Sequence, residues 1–367
     1  MKIVISGYYG SGNAGDEAML DAILEALTNL NPNIEVTVIS INPQDTKRSH
    51  KVDAISHLDI FAIVKTIFNA NLLISGGGSL LQNVTSRRSL YYYLGIITLA
   101  LLFRCPVMLY APGIGPIYGS FAGRLTAFIL NHVDLITVRD QGSIEELNQL
   151  KVTLPKIFCT ADPVLALKPA SLDFGRQILT SELNDKIAED VKIIGIAVRR
   201  WQGFERFKSQ LSDALNAISK SIKIKVVFIP MQPSFDVSAA EEIAGLTSDI
   251  NCTLLNNQYS TRQLLSLVGC MDLLIGIRLH ALIFAGVQNV PLIGISYDPK
   301  IDRFLDSIAE IPLGSVGTIN SEDIVKAVLD KLNIGDNRGE NESSVWKALK
   351  DKASLNAALA LDLIKHH

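Results

Sequence analysis

Cationic side chains follow strand-like runs in the second half of the sequence. Arg278 and His280 come directly after one apolar run, Arg199 follows another, and Lys300 follows a third. These groups donate hydrogen bonds, and the helix that begins near Arg278 adds backbone N–H groups. Donors at the ends of neighbouring parallel strands can converge on one small anion. The pattern therefore predicts an anion-binding site with these four residues, although Lys300 could instead pair with Asp298 at the surface.

Glycine-rich loops follow strand-like runs in the first half of the chain. One loop has the sequence GSGNAGDE at 10–17, and another has SGGGSLLQN at 75–83. Glycines allow a ligand to approach the backbone closely, and carboxylate and amide groups suit a neutral polyol such as a sugar. The residues expected to contact that sugar are Gly12, Asn13, Asp16, Glu17, Gly76, Gly77, Gly78 and Gln82. The simpler interpretation, that Asp16 caps a helix and Asn13 forms a turn, stays open.

The spacing G-x-G-x-x-G in the first loop is also the fingerprint of a dinucleotide-binding loop. That interpretation requires a helix N-terminus open to pyrophosphate and an acidic residue at the end of the second strand. Instead, Asp16 and Glu17 bring negative charge to the start of a predicted helix at 16–29, and the second strand ends in SIN at 40–42. We therefore expect neither NAD nor another resident cofactor.

Strand-like and helix-like segments alternate along most of the chain. Strands are predicted at 2–6, 35–41, 72–75, 106–111, 135–138, 193–198, 225–231, 273–276 and 291–296. Helices of the second half are predicted near 205–220, 236–246, 261–269, 279–287 and 342–364. This alternation predicts α/β architecture with parallel sheets covered by helices. At 367 residues, we expect two doubly wound Rossmann-like domains that face a cleft, 1–170 and 171–340, and a segment at 341–367 that packs back on the first.

Composition and charge narrow the classes of function. The formal net charge of −3 argues against a general nucleic-acid-binding protein. The four cysteines lack metal-ligand spacing, so we expect no metal site, no disulfides and a cytoplasmic location. The apolar run at 89–103 is shorter than the ~20 residues of a spanning helix. It is predicted to form a buried helix, and peripheral contact of residues 87–104 with the inner face of the membrane is the alternative.

The order of several motifs resembles that of the polysaccharide pyruvyl transferases, and the resemblance is greatest to the CsaB-type members. The motifs are NAGDE at 13–17, ISGGGSLLQ at 74–82, APGIGP at 111–116, VRD at 138–140, TADP at 160–163, GIRLHA at 276–281 and SYDPK at 296–300. The resemblance implies a GT-B-like fold and transfer of a pyruvyl group from phosphoenolpyruvate to a sugar. It further implies ManNAc of a lipid-linked secondary cell-wall polymer precursor as the acceptor, with Arg278 and His280 in the donor site.

The chemistry of that transfer suggests a role for each candidate. Arg278 and Arg199 would hold the phosphate and carboxylate of phosphoenolpyruvate, His280 would assist the departure of phosphate, and Asp16 would receive a sugar proton; the last two roles could be exchanged. Alanine at Arg278 or His280 is expected to abolish turnover and leave the fold intact. One alternative is a GT-B glycosyltransferase that uses a nucleotide sugar, with Asp298 as the ribose-binding carboxylate. Another is a non-catalytic glycan-binding protein at the membrane.

Overall fold

A computed structural model describes residues 1–183, 190–247, 250–333 and 344–366 of the chain. The described residues form two compact units. The first comprises Met1–Leu167 together with the C-terminal residues from Lys347 onward, and the second comprises Lys168–Trp346. Both units are α/β, and each contains one parallel sheet.

The first unit contains a seven-stranded parallel sheet with the order β3-β2-β1-β4-β5-β6-β7. Its strands are β1 (Lys2–Ser6), β2 (Glu35–Ser40), β3 (Asp53–Ser56), β4 (Leu72–Gly76), β5 (Val107–Tyr110), β6 (Leu135–Val138) and β7 (Lys156–Cys159). The intervening helices are α1 (Ala14–Leu30), α2 (Pro43–His50), α3 (Ile60–Phe68), α4 (Arg87–Leu102), α5 (Ser120–Leu130) and α6 (Gln141–Gln149), and a 3₁₀ turn covers Pro163–Ala166.

The second unit contains a five-stranded parallel sheet with the order β10-β9-β8-β11-β12. Its strands are β8 (Lys192–Ala197), β9 (Ile224–Phe228), β10 (Cys252–Leu254), β11 (Leu273–Gly276) and β12 (Leu292–Gly294). Its helices are α7 (Asp173–Leu183), α8 (Phe204–Ser221), α9 (Pro233–Ala244), α10 (Thr261–Gly269), α11 (Leu279–Val287), α12 (Pro299–Ser307) and α13 (Ser321–Asn333). The last helix, α14 (Ser344–His366), runs from this unit into the first.

Each sheet reverses its strand order once, and the candidate residues follow the strands at that point. In the first unit, β1 leads to β2 and β3 on one side, and the chain then crosses to β4 on the other side of β1. The second unit reverses in the same way between β8 and β11. Ligands of open α/β sheets bind at such a switch point, beyond the carboxyl ends of the two adjacent strands. The glycine loops follow β1 and β4, and Arg199 and Arg278 follow β8 and β11.

Helices cover both faces of the first sheet. Helices α3, α4 and α5 pack on one face through buried residues such as Ile63, Ile97 and Ile129. On the other face, α1 and α14 contribute to a second apolar cluster. Helix α14 is fixed there by buried Asn356, whose Oδ1 accepts a hydrogen bond from Thr160 Oγ1 at 2.8 Å. The C-terminal segment therefore belongs to the core of the first unit.

The structure contains three strands that the apolar pattern did not predict, β3, β7 and β10. All three are edge strands, and their sequences DAIS, KIFC and CTL are short and only partly buried. An edge strand needs no continuous apolar run, because one side of it has no neighbouring strand to bury it. The C-terminal helix begins at Ser344, and residues 341–343 of the predicted segment lie outside the described residues.

Candidate active site

Arg278 is held by a buried ion pair that the sequence did not predict. Its Nε donates to Asp236 Oδ2 at 2.9 Å, and its Nη2 contacts Asp236 Oδ1. Arg278 is 7% exposed and Asp236 is 1% exposed. Burial raises the pKa of the Asp236 carboxyl, and the positive charge of Arg278 opposes that rise. This bidentate pair fixes the guanidinium and uses two of its five N–H donors, which leaves three donors for other partners.

The helix that begins beside Arg278 has an N-terminus suited to an anion. Arg278 is the N-cap residue of α11, and no side chain caps this helix. The first backbone N–H groups of a helix lack partners within the helix, so an uncapped start can donate to an anion. His280 lies in the same first turn, which contains no acidic residue. A guanidinium, an imidazole and backbone donors therefore share the end of β11.

Arg199 and Lys300 approach a common aromatic residue, Tyr297. Arg199 Nη1 donates to the Tyr297 hydroxyl at 3.4 Å, and the guanidinium lies 5.1 Å from the ring centroid of Trp201. Lys300 Nζ lies 5.2 Å from the ring centroid of Tyr297. Burial alone would raise the pKa of the Tyr297 hydroxyl, but the nearby charges of Lys300, Arg199 and Arg278 lower it. Three cations therefore lie near enough to the Tyr297 hydroxyl to stabilise its charged form.

Lys300 also lies close to Asp298, with which the sequence suggested that it could pair. Its Nζ lies 3.6 Å from Asp298 Oδ2, and the other oxygen, Asp298 Oδ1, accepts from the backbone N–H of Lys300 at 3.1 Å. Asp298 is the N-cap residue of α12. The carboxylate that a ribose-binding role would require is therefore engaged in capping a helix.

In the first unit, Asp16 lies against the triple-glycine loop. Asp16 is 9% exposed, and a Cβ added at Gly78 would lie 3.0 Å from Asp16 Oδ1. Gly78 has φ +67°, a conformation that favours glycine, and its N–H points to Met19 Sδ at 3.0 Å. The Tyr9 hydroxyl donates to Gly76 O at 2.7 Å. Residues that follow β1 and β4 are thus brought together, as the switch-point geometry requires.

The start of α1 differs from the prediction, because Asn13 and not Asp16 caps the helix. The Asn13 side chain accepts from the backbone N–H of Gly15 at 3.0 Å, so the helix begins at Ala14. Asp16 and Glu17 occupy the first turn. The cap and the two carboxylates satisfy the helix dipole, which makes this N-terminus unsuited to pyrophosphate.

Glu17 has partners within the protein. Its Oε1 accepts from the backbone N–H of Gly10 at 2.8 Å, and its Oε2 lies 2.9 Å from His50 Nε2. Gly10 is itself constrained, since a Cβ there would lie 2.3 Å from Ser40 Oγ. Gly12 is different, because a Cβ at that position would meet no atom within 4 Å. Within the first loop, Gly10 and Glu17 therefore support the structure, and Gly12 borders open space.

Gln82 and the VRD and TADP motifs stabilise the loop region after β4. Gln82 Oε1 accepts from the backbone N–H groups of Val84 at 2.7 Å and Thr85 at 3.1 Å, which closes a turn. Arg139 donates from Nη1 to Asp162 at 3.0 Å and from Nη2 to Ser79 Oγ at 3.3 Å. The Arg139 side chain is 6% exposed. We interpret Arg139 as a positioning residue for the glycine loop.

Comparison with known proteins finds similarity in sequence to a protein family and to a polysaccharide biosynthesis protein. A family model described as polysaccharide pyruvyl transferase matches residues 13–299. The amylovoran biosynthesis protein AmsJ of Erwinia amylovora is 21% identical, over 100% of this chain and 99% of that protein.

Solved structures show the same fold at low sequence identity. UDP-GlcNAc 2-epimerase of Methanocaldococcus jannaschii has a TM-score of 0.67 at 12% identity, with 98% of this chain and 99% of that chain covered. The Neisseria meningitidis enzyme, bound to UDP-GlcNAc, has a TM-score of 0.64 at 13% identity, covering 99% and 100%. HepE of Anabaena, in complex with UDP and glucose, has a TM-score of 0.62 at 11% identity, covering 100% and 98%. The fold is therefore the two-domain, Rossmann-like GT-B fold.

Proposed function

Because the chain belongs to the polysaccharide pyruvyl transferase family, we propose that it transfers the pyruvyl group of phosphoenolpyruvate to a sugar and forms a pyruvate ketal. The family makes the protein a pyruvyl-transferring enzyme of polysaccharide synthesis, which sets aside the non-catalytic alternative. We further propose ManNAc of a lipid-linked cell-wall polymer precursor as the acceptor. The observation that carries the donor assignment is the set of cationic groups around the β8–β11 switch point of the second unit.

The proposed reaction balances without a further reagent. One sugar hydroxyl oxygen bonds to C2 of phosphoenolpyruvate, while C3 takes up a proton and becomes a methyl group. The bond between C2 and the phosphate oxygen breaks, and its electron pair leaves with phosphate. The second sugar hydroxyl then bonds to C2. Of the two hydroxyl protons, one balances the proton gained at C3 and the other leaves with inorganic phosphate.

The second unit offers donors for both charged groups of phosphoenolpyruvate. The remaining N–H donors of Arg278 and the uncapped N–H groups of α11 suit the phosphate, because both are fixed before the ligand arrives. Arg199, whose guanidinium lies over the Trp201 ring and donates to the Tyr297 hydroxyl, would hold the carboxylate. Lys300 adds positive charge beside the same tyrosine. His280, in the first turn of α11, would donate a proton to the departing phosphate.

Mass spectrometry of a ManNAc-containing acceptor tests the proposal. Incubation with phosphoenolpyruvate should add one pyruvyl ketal per acceptor and release one equivalent of inorganic phosphate. A matched reaction with UDP-sugar tests the nucleotide-sugar alternative, which the UDP-bound fold relatives make worth measuring. Addition of a hexose from the UDP-sugar, with no pyruvyl product, would replace the proposed donor by a nucleotide sugar. Phosphate release without ManNAc modification would retain the donor and reject the acceptor.

Asp16→Asn should lower kcat about 100-fold, because asparagine keeps the shape of the side chain but cannot accept a sugar proton. The KM for phosphoenolpyruvate should stay within twofold, since the donor residues belong to the second unit. The measurement is initial-rate phosphate release in the presence of acceptor. Glu25→Gln, a carboxylate of the same helix more than two turns further on, is the control and should keep its activity. An Asp16→Asn enzyme with an unchanged kcat would exclude Asp16 as the base.

A further inference from the structure

One long segment of the first unit contains no acidic residue. Residues 60–133 carry five Lys or Arg and not one Asp or Glu, whereas in the rest of the chain 29 Lys and Arg face 37 Asp and Glu. The five basic residues, all exposed, are Lys65, Arg87, Arg88, Arg104 and Arg124. The protein is therefore net acidic, but the charged side chains of α3, α4, α5 and the residues between them are all basic, and the nearest acidic residue before them is Asp59, the exposed N-cap of α3.

The same three helices expose large apolar side chains. We name as the basic apolar face the five basic residues together with Phe61, Phe68, Leu102, Phe103, Phe121 and Phe128. Phe61 and Phe68 are 79% and 66% exposed and lie two turns apart on α3. Phe121 and Phe128 are 67% and 66% exposed and have the same spacing on α5. Exposed side chains two turns apart lie on one side of a helix.

These side chains belong to one surface of the first unit. The buried sides of α3, α4 and α5 pack into one apolar cluster on the same face of the sheet. Their opposite sides are therefore directed to solvent together. Phe68, at the end of α3, contacts Phe103, directly after α4, with 5.6 Å between ring centroids. An exposed aromatic pair next to Arg104 thus joins two of the three helices.

We propose that the basic apolar face binds the surface of a bilayer that contains anionic phospholipids. Aromatic side chains that project from a basic surface are typical of peripheral membrane binding, in which the rings enter the boundary between headgroups and acyl chains. Lys and Arg around them attract the negative lipid headgroups. A second copy of this chain is a poorer occupant, because two copies of this face would bring ten positive charges together with no carboxylate from residues 60–133.

The proposed binding is peripheral, and it involves α3 and α5 in addition to the apolar run at 89–103. Within the described part of the chain, no helix combines the length and hydropathy needed to span a bilayer. Most apolar side chains of α4 are buried in the core, as predicted, and Leu102 is among those that reach the surface. The membrane-facing side chains come mainly from α3 and α5, with the end of α4 between them.

Co-sedimentation of the full chain with phosphatidylcholine vesicles, with and without phosphatidylglycerol, tests the proposal. The wild type should bind the anionic vesicles, and binding should weaken as salt is added. The variant Phe61→Ser/Phe68→Ser/Phe128→Ser should bind at least tenfold more weakly. The matched control replaces three exposed apolar residues of the second unit, Phe174→Ser/Leu246→Ser/Ile311→Ser, and should bind within twofold of wild type.

Charge variants distinguish binding to anionic lipid from nonspecific adsorption to vesicles. Lys65→Gln/Arg104→Gln/Arg124→Gln should lower binding and reduce its dependence on salt, whereas Arg206→Gln/Lys220→Gln/Lys326→Gln, exposed in the second unit, should change neither. Circular dichroism verifies that each variant is folded. Absence of wild-type binding, or equal binding by the apolar variant and its control, overturns the proposal. So does sedimentation velocity that shows a wild-type dimer lost in the apolar variant. Because no measurement involves turnover, the result is independent of the proposed reaction.

Discussion

Arg278→Lys is expected to lower the rate of pyruvyl transfer about 1000-fold, because lysine keeps the charge but cannot form the bidentate pair with Asp236. The guanidinium is fixed by that pair before any ligand arrives, so its remaining donors need no reorganisation. A lysine ammonium would lie at the Asp236 carboxylate or at the donor phosphate, but not at both. The measurement is kcat/KM for phosphoenolpyruvate.

Alanine at this position is a poorer test than the sequence suggested. Arg278→Ala would leave the Asp236 carboxylate, 1% exposed, without its counter-charge. Removal of one partner of a buried ion pair costs about 3–5 kcal/mol, so we expect this variant to lose stability as well as activity. Arg278→Lys paired with a thermal unfolding measurement distinguishes lost chemistry from lost structure.

Asp236→Asn completes the test of the pair. If Asp236 acts by positioning Arg278, the double variant Arg278→Lys/Asp236→Asn should be no slower than Arg278→Lys, because the two residues then act as one unit. The control is Arg200→Lys, because Arg200 is next to Arg199 but is exposed and pairs with Glu242 and Glu205. That variant should keep its rate. Additive losses in the double variant, or a normal rate for Arg278→Lys, would contradict the assignment.

The parts of the site that the sequence predicted lie at the ends of buried strands. The strand predicted at 273–276 forms β11 with the predicted bounds, and the helix predicted at 279–287 forms α11, also with the predicted bounds. Central parallel strands are apolar on both faces, so each appears in the sequence as a continuous run with a clear end. The residue after such a run has a known place at the edge of the sheet, which is why the positions of Arg278 and Arg199 in the fold could be predicted.

The parts that the sequence did not predict depend on tertiary contacts. Asp236 lies 42 residues before Arg278 and belongs to the first turns of α9, where it looks like an ordinary acidic helix start. Tyr297 was present in the SYDPK motif, but only the structure places its hydroxyl among three cations. The spacing of residues in the sequence does not show which side chains meet when they follow different strands. The sequence alone therefore could not single out Asp236 from the other carboxylates as the partner of Arg278.

His50 is a further residue that only the structure identifies, and it joins α2 to α1. Its Nδ1 lies 2.6 Å from Asp21 Oδ1 and its Nε2 lies 2.9 Å from Glu17 Oε2, and its side chain is 3% exposed. Burial lowers the pKa of the imidazole, but hydrogen bonds and charge from the two carboxylates outweigh burial and raise the pKa from 6.5 to about 9. Both ring nitrogens therefore carry protons at neutral pH, and the cation links the two helices near the first glycine loop.

His50→Gln should remove about 3 kcal/mol of stability at pH 6 and almost none at pH 10. Because the folded-state pKa lies above the unfolded value of 6.5, the native protein binds the proton more tightly. The stabilisation is thus fully present below pH 6.5 and is lost as pH rises through about 9. Urea unfolding of wild type and variant at both pH values measures the difference, and subtraction cancels the groups they share. His132→Gln, an exposed histidine of the same unit, should show no such pH-dependent difference. If the difference in free energy of unfolding between wild type and His50→Gln were the same at both pH values, His50 would stabilise the helices by packing and not by its charge.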